Sequence, residues 1–448
     1  MPQQFDRIAG FIENPKVPEG ARDRAAVLLV DTLAVAAGAV SLTSARIARD
    51  FAVSAMCAAE PEDQAPMLFD GRRVSIPGAA FAAATQIDNL DGHDGYNPTK
   101  GHIGCAVVPA LLAFAARKPD LTSEQALDIL VMSYEIGARA AIALHRTVAD
   151  YHTSGAWNTL AVAAIGCRLR GANRTQLREA LGIAEYHGPR SQMMREIAHP
   201  TMLHDGSGMG ALTGCMAALL AVQGFQGAPA LTVEAPEVAD IWDDLGQDWT
   251  IERNYIKPYP VCRWAHAPLD ALAGLMHTHR LTATDIKHLE VRTFAESAAL
   301  FSGLPRTTSE AQYSLPFALA AMMAHGHVGP REVTGAGLED RAVAELIGRI
   351  SVTENPIYSA EFPARRCADV ILTLQDGTRL KSGTVEARGG PDAPLSETEI
   401  RDKLYLFAAP TLGSDRAEAL WQMRNALLTP GHRFRHLSDL VCNAPSPG

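Results

Sequence analysis

Helical stretches built largely from small residues constrain this chain more than anything else in it. RDRAAVLLVDTLAVAAGAV and SARIARDFAVSAMCAAE, within residues 20–57, repeat apolar positions three and four apart with small residues throughout. GAAFAAATQID, VVPALLAFAARK, GAWNTLAVAAIGCRLRG and MGALTGCMAALLAVQGF continue the pattern. Such helices have little polar face to offer water, and Ala and Gly let their backbones approach closely. SEQALDILVMSYEIGARAAIALH starts with a capping pattern at Thr122 or Ser123 followed by acidic residues. No two-residue alternation interrupts the first 250 residues, and APMLFDGRRVS reads only as a polar piece with an Asp-Gly turn. These residues predict an all-helical domain.

The pattern changes after IWDDLGQDWTIERNYIKPYPVC. HLEVRTFAE, RISVTEN and VILTLQDGTRLKS alternate apolar and polar residues or are rich in Val, Ile and Thr, and Gln375-Asp376-Gly377-Thr378 is a hairpin signal. SEAQYSLPFALAAMMAHG between them is helical. SETEIRDKLYLFAAP and DRAEALWQMRNALL then return to helical periodicity, and the tail after Leu428 reads as an irregular strand or loop. The expected fold is mainly α: a large helical domain from both chain ends, 1–257 and 396–448, with an inserted smaller α+β lid domain at 258–395. A length of 448 residues fits two or three such units.

Composition narrows the function. A formal charge of −10 argues against a nucleic-acid partner, whose affinity would need a basic patch. No stretch reaches the ~18–20 uninterrupted apolar residues of a spanning helix, and the N-terminus has no leader pattern, so a cytoplasmic protein without a membrane partner is expected. The seven cysteines form no CxxC or CxxxC pair and read as reduced, mostly buried thiols.

The chemistry concentrates in DNLDGHDGYNPTKGHIGCAVVP, residues 88–109. It gathers Asp88, Asp91, Asp94, His93, His102, Asn97 and Lys100 between two alanine-rich helices, and Gly92, Gly95, Pro98 and Gly101 make it a loop. An exposed polar loop is the competing reading. No GxGxxG follows a strand, and no GxxxxGK[ST] or nucleophile elbow exists. Neither zinc nor calcium spacing is present, so no cofactor and no metal are expected. Acid–base chemistry remains. His102, His152 and His204 each stand in a polar break just before an apolar, small-residue helix, and Lys257 lies at the junction of the proposed domains near Arg263 and His266.

Several segments together carry a resemblance. These are HIGCAVVPALLAFA at His102, YHTSGAWNTLAVAA at His152, LREALGIA at 177–184, KPYPVCRWAHAPLDAL from Lys257, AQYSLPFALAA at 311–321 and the Phe-Pro to Asp-Gly pattern of 362–377. On these the chain resembles the MmgE/PrpD family, which includes 2-methylcitrate dehydratases, cis-aconitate decarboxylases and iminodisuccinate epimerases. The resemblance implies a homodimer, a site between the domains that works without an organic cofactor, and a small di- or tricarboxylate substrate. Carried over residue by residue, it implies that the Asp91/Asp94 region, His102, His152 and Lys257 line the site. With the other residues singled out in the sequence this gives Asp94, His102, His152, His204 and Lys257 as catalytic candidates and Asp91, Asn97, Lys100, Arg190, Tyr259 and Arg263 as candidate substrate contacts. Proton abstraction α to a carboxylate builds a dianionic species, which needs a base and nearby cations.

Two positions depart from the family pattern. Many relatives carry a lysine in a TKPLH-like stretch, but no lysine occurs between Lys118 and Lys257, and His204 or Thr201 stands there instead. The tyrosine of some decarboxylating relatives aligns with Phe317, one turn from Tyr313. Dehydration of the 2-methylcitrate type is therefore the first expectation for a lyase of this kind. Epimerisation, decarboxylation and a non-catalytic carboxylate-binding protein are the alternatives.

Overall fold

Two helices, Gly155–Arg170 and Ser207–Val222, show what the small residues accomplish. A Cβ on Gly155 would stand 2.3 Å from the Gly206 carbonyl oxygen, and one on Gly210 would stand 2.9 Å from the Gly155 Cα. The backbones touch at this crossing, which only glycine permits. Around the pair pack Ile76–Asp88, Gly104–Ala115, Ser123–Thr147 and Arg174–His187. The helix Gly104–Ala115 is buried along its whole length. The computed structural model describes residues 2–445 and is 58% helical with 10% strand, a mainly α protein with a small sheet.

The chain divides into two compact units. The first comprises Met1–Met194, Leu203–Ile256 and Ile400–Gly448, and the second comprises Arg195–Met202 and Lys257–Glu399. Within the first unit the end of the chain is tied to its beginning by a buried charge pair: Lys403 Nζ lies 2.7 and 2.8 Å from the two carboxylate oxygens of Asp31 and donates to the Gly92 carbonyl at 2.8 Å. The helix Ser123–Thr147 is capped by Thr122, and the reciprocal partner is the Gln125 side chain rather than an acidic residue.

Two sequence expectations need correction. APMLFDGRRVS is not a bare turn: β1 (Gln64–Pro66) and β2 (Arg73–Ser75) pair antiparallel across it, so the first 250 residues are not wholly helical. Three-residue strands are too short to show alternation. The tail after Leu428 contains the helix Arg435–Val441, whose Leu437 and Val441 are buried. Its seven residues give barely two turns of periodicity. No single helix among the described residues is long and apolar enough to cross a membrane.

The second unit is built on a five-stranded sheet. β3 (Ile286–Thr293) pairs parallel with β4 (Ile350–Glu354) and antiparallel with β5 (Cys367–Leu374). β5 in turn pairs with β6 (Arg379–Lys381) and β7 (Val385–Glu386). The QDGT hairpin joins β5 to β6, with Gly377 at φ 89° supplying the left-handed residue. Residues 367–372 of β5 are buried, and the helix His266–His279 packs on this strand.

The Lys403–Asp31 pair yields a stability prediction. Burial alone drives the Asp31 carboxyl pKa up, and the Lys403 ammonium opposes that shift. Lys403→Met would leave a buried carboxylate without its cation, at a cost of about 3–5 kcal/mol. Chemical denaturation at pH 7 should show this loss, and Asp31→Leu added to Lys403→Met should recover most of it.

Candidate active site

Three helices of the first unit start at one place. Gly104–Ala115, Gly155–Arg170 and Ser207–Val222 bring their N-terminal residues together, and the loop from Asp88 to Tyr96 lies among them, buried throughout. The exposed-loop reading is therefore set aside. The loop is pinned by a reciprocal pair of backbone hydrogen bonds between Gly95 and Tyr255, 3.1 and 2.7 Å. Gly104 has to be glycine, since a Cβ would sit 2.1 Å from Asp94 Oδ1 and 2.5 Å from the Tyr134 hydroxyl.

Helix starts carry unsatisfied N–H groups and a positive dipole end, so this is where carboxylates settle. Asp88 Oδ2 accepts from the Ser207 backbone N–H at 3.0 Å. Asp205 Oδ1 accepts from Ser154 N at 3.2 Å and from Ser154 Oγ at 2.8 Å, and the Asp205 carbonyl accepts from Gly155 N at 2.8 Å. Between the two carboxylates stand the rings of His93 and His102, edge to face at 4.5 Å.

His102 is held from three sides. Its Nδ1 lies 2.7 Å from the Asp94 carbonyl oxygen, and because a carbonyl only accepts, Nδ1 carries the hydrogen. Its Nε2 faces Asp205 Oδ2 at 3.7 Å. Its backbone N–H donates to Ser154 Oγ at 3.0 Å and its carbonyl accepts from Asn158 Nδ2 at 2.8 Å. The nitrogen that can gain and lose a proton is thus Nε2.

Asp94 is strongly perturbed. Complete burial lifts its carboxyl to about 6, with the Asp31 charge adding to the lift and the His93 ring, the Tyr134 hydroxyl and Arg24 opposing it. Neither of its oxygens has a partner at hydrogen-bonding geometry among the described residues. The Tyr134 hydroxyl is itself pushed well up by burial beside Asp94.

The donor atoms of Asp88, His93 and Cys105 lie within 4.8 Å of one another, the grouping here that a metal ion could use. Each member also has a protein neighbour. Cys105 Sγ shares a hydrogen bond with Ser207 Oγ at 3.1 Å, and burial near Asp88 raises its thiol well above the ordinary range. The trio reads as a buried hydrogen-bonded cluster, and we assign no metal to it.

The other expected residues fall in several places. Asp91 is buried in the loop at φ 53°, and His204 is buried at φ 45° immediately before Asp205. Asn97 opens a single helical turn that Lys100 ends at φ 52°. Lys100 Nζ lies 4.2 Å over the Tyr151 ring, whose hydroxyl donates to the Lys100 carbonyl. His152 is half-buried with Nδ1 2.9 Å from the Asp150 carbonyl, and its backbone N–H donates to His145, whose imidazole burial and the Lys100 charge depress to about 4. Arg190 is exposed, 3.9 Å from Glu185.

In the second unit Lys257 is fully buried, and the Tyr259 hydroxyl donates to Asp270 at 3.0 Å. Arg263 donates to the carbonyls of Ala387 and Arg388 at 3.0 and 2.7 Å, which braces its own unit. Thr201 also belongs to this unit and donates its backbone N–H to Glu196.

Sequence reasoning missed Ser154 and Asp205. The three helix starts do meet, but the groups from the second and third starts that face His102 are these two, two residues beyond His152 and one beyond His204. Both stand at or just before the helix cap, where Ser and Asp are common for purely local reasons. Only the fold separates the two uses.

Comparison with known proteins identifies the family. The MmgE/PrpD N-terminal domain matches residues 6–241 and the MmgE/PrpD C-terminal domain matches residues 259–428. The cis-aconitate decarboxylase of Homo sapiens is 25% identical over 367 residues, covering 76% of this chain and 74% of the relative. The cis-aconitate decarboxylase-like protein oryM of Aspergillus oryzae is 23% identical over 420 residues, covering 83% of each. The Mus musculus cis-aconitate decarboxylase is 22% identical over 365 residues, covering 76% of this chain and 74% of the relative. With its two domains matched in order along most of its length, the chain belongs to the MmgE/PrpD family.

Proposed function

We propose that this protein is a lyase that moves a proton at the carbon α to a carboxylate of a small di- or tricarboxylate, and that the reaction completed is dehydration of the 2-methylcitrate type. The observation that supports it best is His102: a buried imidazole with Nδ1 committed to a carbonyl and Nε2 set toward an acidic group. That is the arrangement of a general base with a defined tautomer. Asp94, lifted to about 6, keeps a proton closer to neutrality than an ordinary carboxyl and serves as the acid partner.

The alternative of a carboxylate-binding protein fits less well. A binding protein has no use for an imidazole whose Nδ1 is committed to a carbonyl and whose Nε2 is set toward an acidic group. We assign the meeting of substrate carboxylates to Lys100 and Lys257, with Asp91, Asn97, Arg190, Tyr259 and Arg263 as secondary contacts, and a homodimer as the working form. Decarboxylation is the second reading because the relatives are named cis-aconitate decarboxylases. The sequence departures at His204 and Phe317 weigh against it.

Incubation with 2-methylcitrate, citrate, cis-aconitate and iminodisuccinate in deuterium oxide, followed by proton NMR, tests the proposal. Loss of water with formation of the alkene is expected, with deuterium entering the α carbon of the recovered substrate. Loss of carbon dioxide would move the assignment to decarboxylation, and saturable binding without turnover would move it to the binding protein.

The residue roles lead to separate kinetic outcomes. His204→Ala should lower kcat about 10²–10⁴-fold with little change in substrate affinity, as for an acid–base group. Lys257→Ala should mainly raise KM. Wild-type turnover in His204→Ala would remove His204 from the acid–base steps and leave the base role with His102.

Asp94 makes a further prediction about stability. Its folded pKa of about 6 lies above the ordinary 3.8, so ionisation penalises the folded state as pH rises through that window. The penalty is absent below the window and complete above it, roughly 3 kcal/mol. Asp94→Asn should therefore gain stability relative to wild type between pH 4 and pH 7.5 in denaturant titrations. A difference independent of pH would contradict the assignment.

A further inference from the structure

We propose that Asp205 is a positioning residue that fixes the proton affinity of His102 and makes Nε2 its exchanging nitrogen. The inference rests on the reading of His102 as the acid–base group. It concerns how that group is tuned.

The geometry points one way. With Nδ1–H donated to the Asp94 carbonyl, a second proton on the ring has to sit on Nε2, and that nitrogen faces Asp205 Oδ2 at 3.7 Å. The separation is longer than a hydrogen bond, so the interaction is one of charge and orientation. Both groups are buried, His102 at 7% exposure and Asp205 at 4%, so water screens them little.

The spacing is built rather than incidental. The Ser154 hydroxyl accepts from the His102 backbone N–H and donates to Asp205 Oδ1, so one side chain gauges the distance between the two residues. The Ser154 N–H on Oδ1 and the Gly155 N–H on the Asp205 carbonyl fix the carboxylate further, which turns Oδ2 to the ring.

Other titratable groups of the first unit also face this imidazole. His93 lies edge to face at 4.5 Å with Asp88 behind it at 3.6 Å, and Tyr255 is 6.4 Å away between ring centroids. Asp94 presents its carbonyl to Nδ1, and Cys105 lies one helical step along, its thiol 3.8 Å from the His102 carbonyl. Among these, Asp205 is the carboxylate set against Nε2.

Asp205→Asn separates tuning from scaffolding. Asparagine retains an Oδ1 that can accept from Ser154 N and Oγ, while the group facing Nε2 becomes an uncharged amide. The readout is the His102 titration in the free, full-length protein, followed by NMR of 15N-labelled histidine, with the His102 signal identified by its absence in His102→Gln.

An opposite charge at this distance typically raises an imidazole by about one pKa unit or more, so Asp205→Asn should lower the His102 midpoint by roughly that amount. An unchanged midpoint in folded Asp205→Asn would overturn the proposal. Should that variant fail to fold, Ser154→Ala should lower the midpoint in the same direction by releasing the carboxylate, and an unchanged midpoint there would overturn it equally. The two readings fail separately: normal turnover in His102→Gln would remove His102 as the base whatever the titration shows. A midpoint indifferent to Asp205 would remove the tuning while leaving that base in place.

Discussion

The close approach of three helix starts is the constraint on which the candidate site depends. It needs backbone contact at Gly155 and Gly210 and an absent side chain at Gly104, because any Cβ there would displace a neighbouring helix or the Asp94 carboxyl. Once the starts meet, their N–H groups and dipole ends stabilise Asp88 and Asp205 in the interior. Those carboxylates in turn flank His93 and His102. The small-residue composition is thus a condition of the chemistry as well as of packing.

The same interior keeps groups that a purely structural core would exclude. Asp94 gains no hydrogen bond for its carboxyl oxygens among the described residues and holds its proton toward neutrality, and Tyr134 and Cys105 are likewise shifted up by burial. Clusters of perturbed groups in one buried place mark functional sites more often than chance packing does. The buried Lys403–Asp31 pair borders the same interior, holding the Gly92 carbonyl while the Asp31 charge adds to the lift of Asp94.

Much of this was legible in the sequence, for identifiable reasons. The helices declared themselves by apolar spacing over ten or more residues, and β5 by a run of branched residues with a hairpin signal behind it. His102 stood out because glycines and a proline broke the helix before it while an apolar run followed. The ribbon at 64–66 and 73–75 and the helix Arg435–Val441 were too short to show a period. The partnership of Lys403 with Asp31, 372 residues away, and that of His102 with Asp205 depend on tertiary closure. No local pattern encodes them. Ser154 and Asp205 were further hidden by an ordinary alternative, since Ser and Asp before a helix are expected as caps.

The central claim is that His102 exchanges the substrate proton. The direct measurement is the rate of deuterium entry at the α carbon in wild type and His102→Gln, made beside calorimetric binding of the same acid. The account predicts that exchange falls about 10²–10⁴-fold while affinity changes little. Exchange at the wild-type rate in His102→Gln would contradict it.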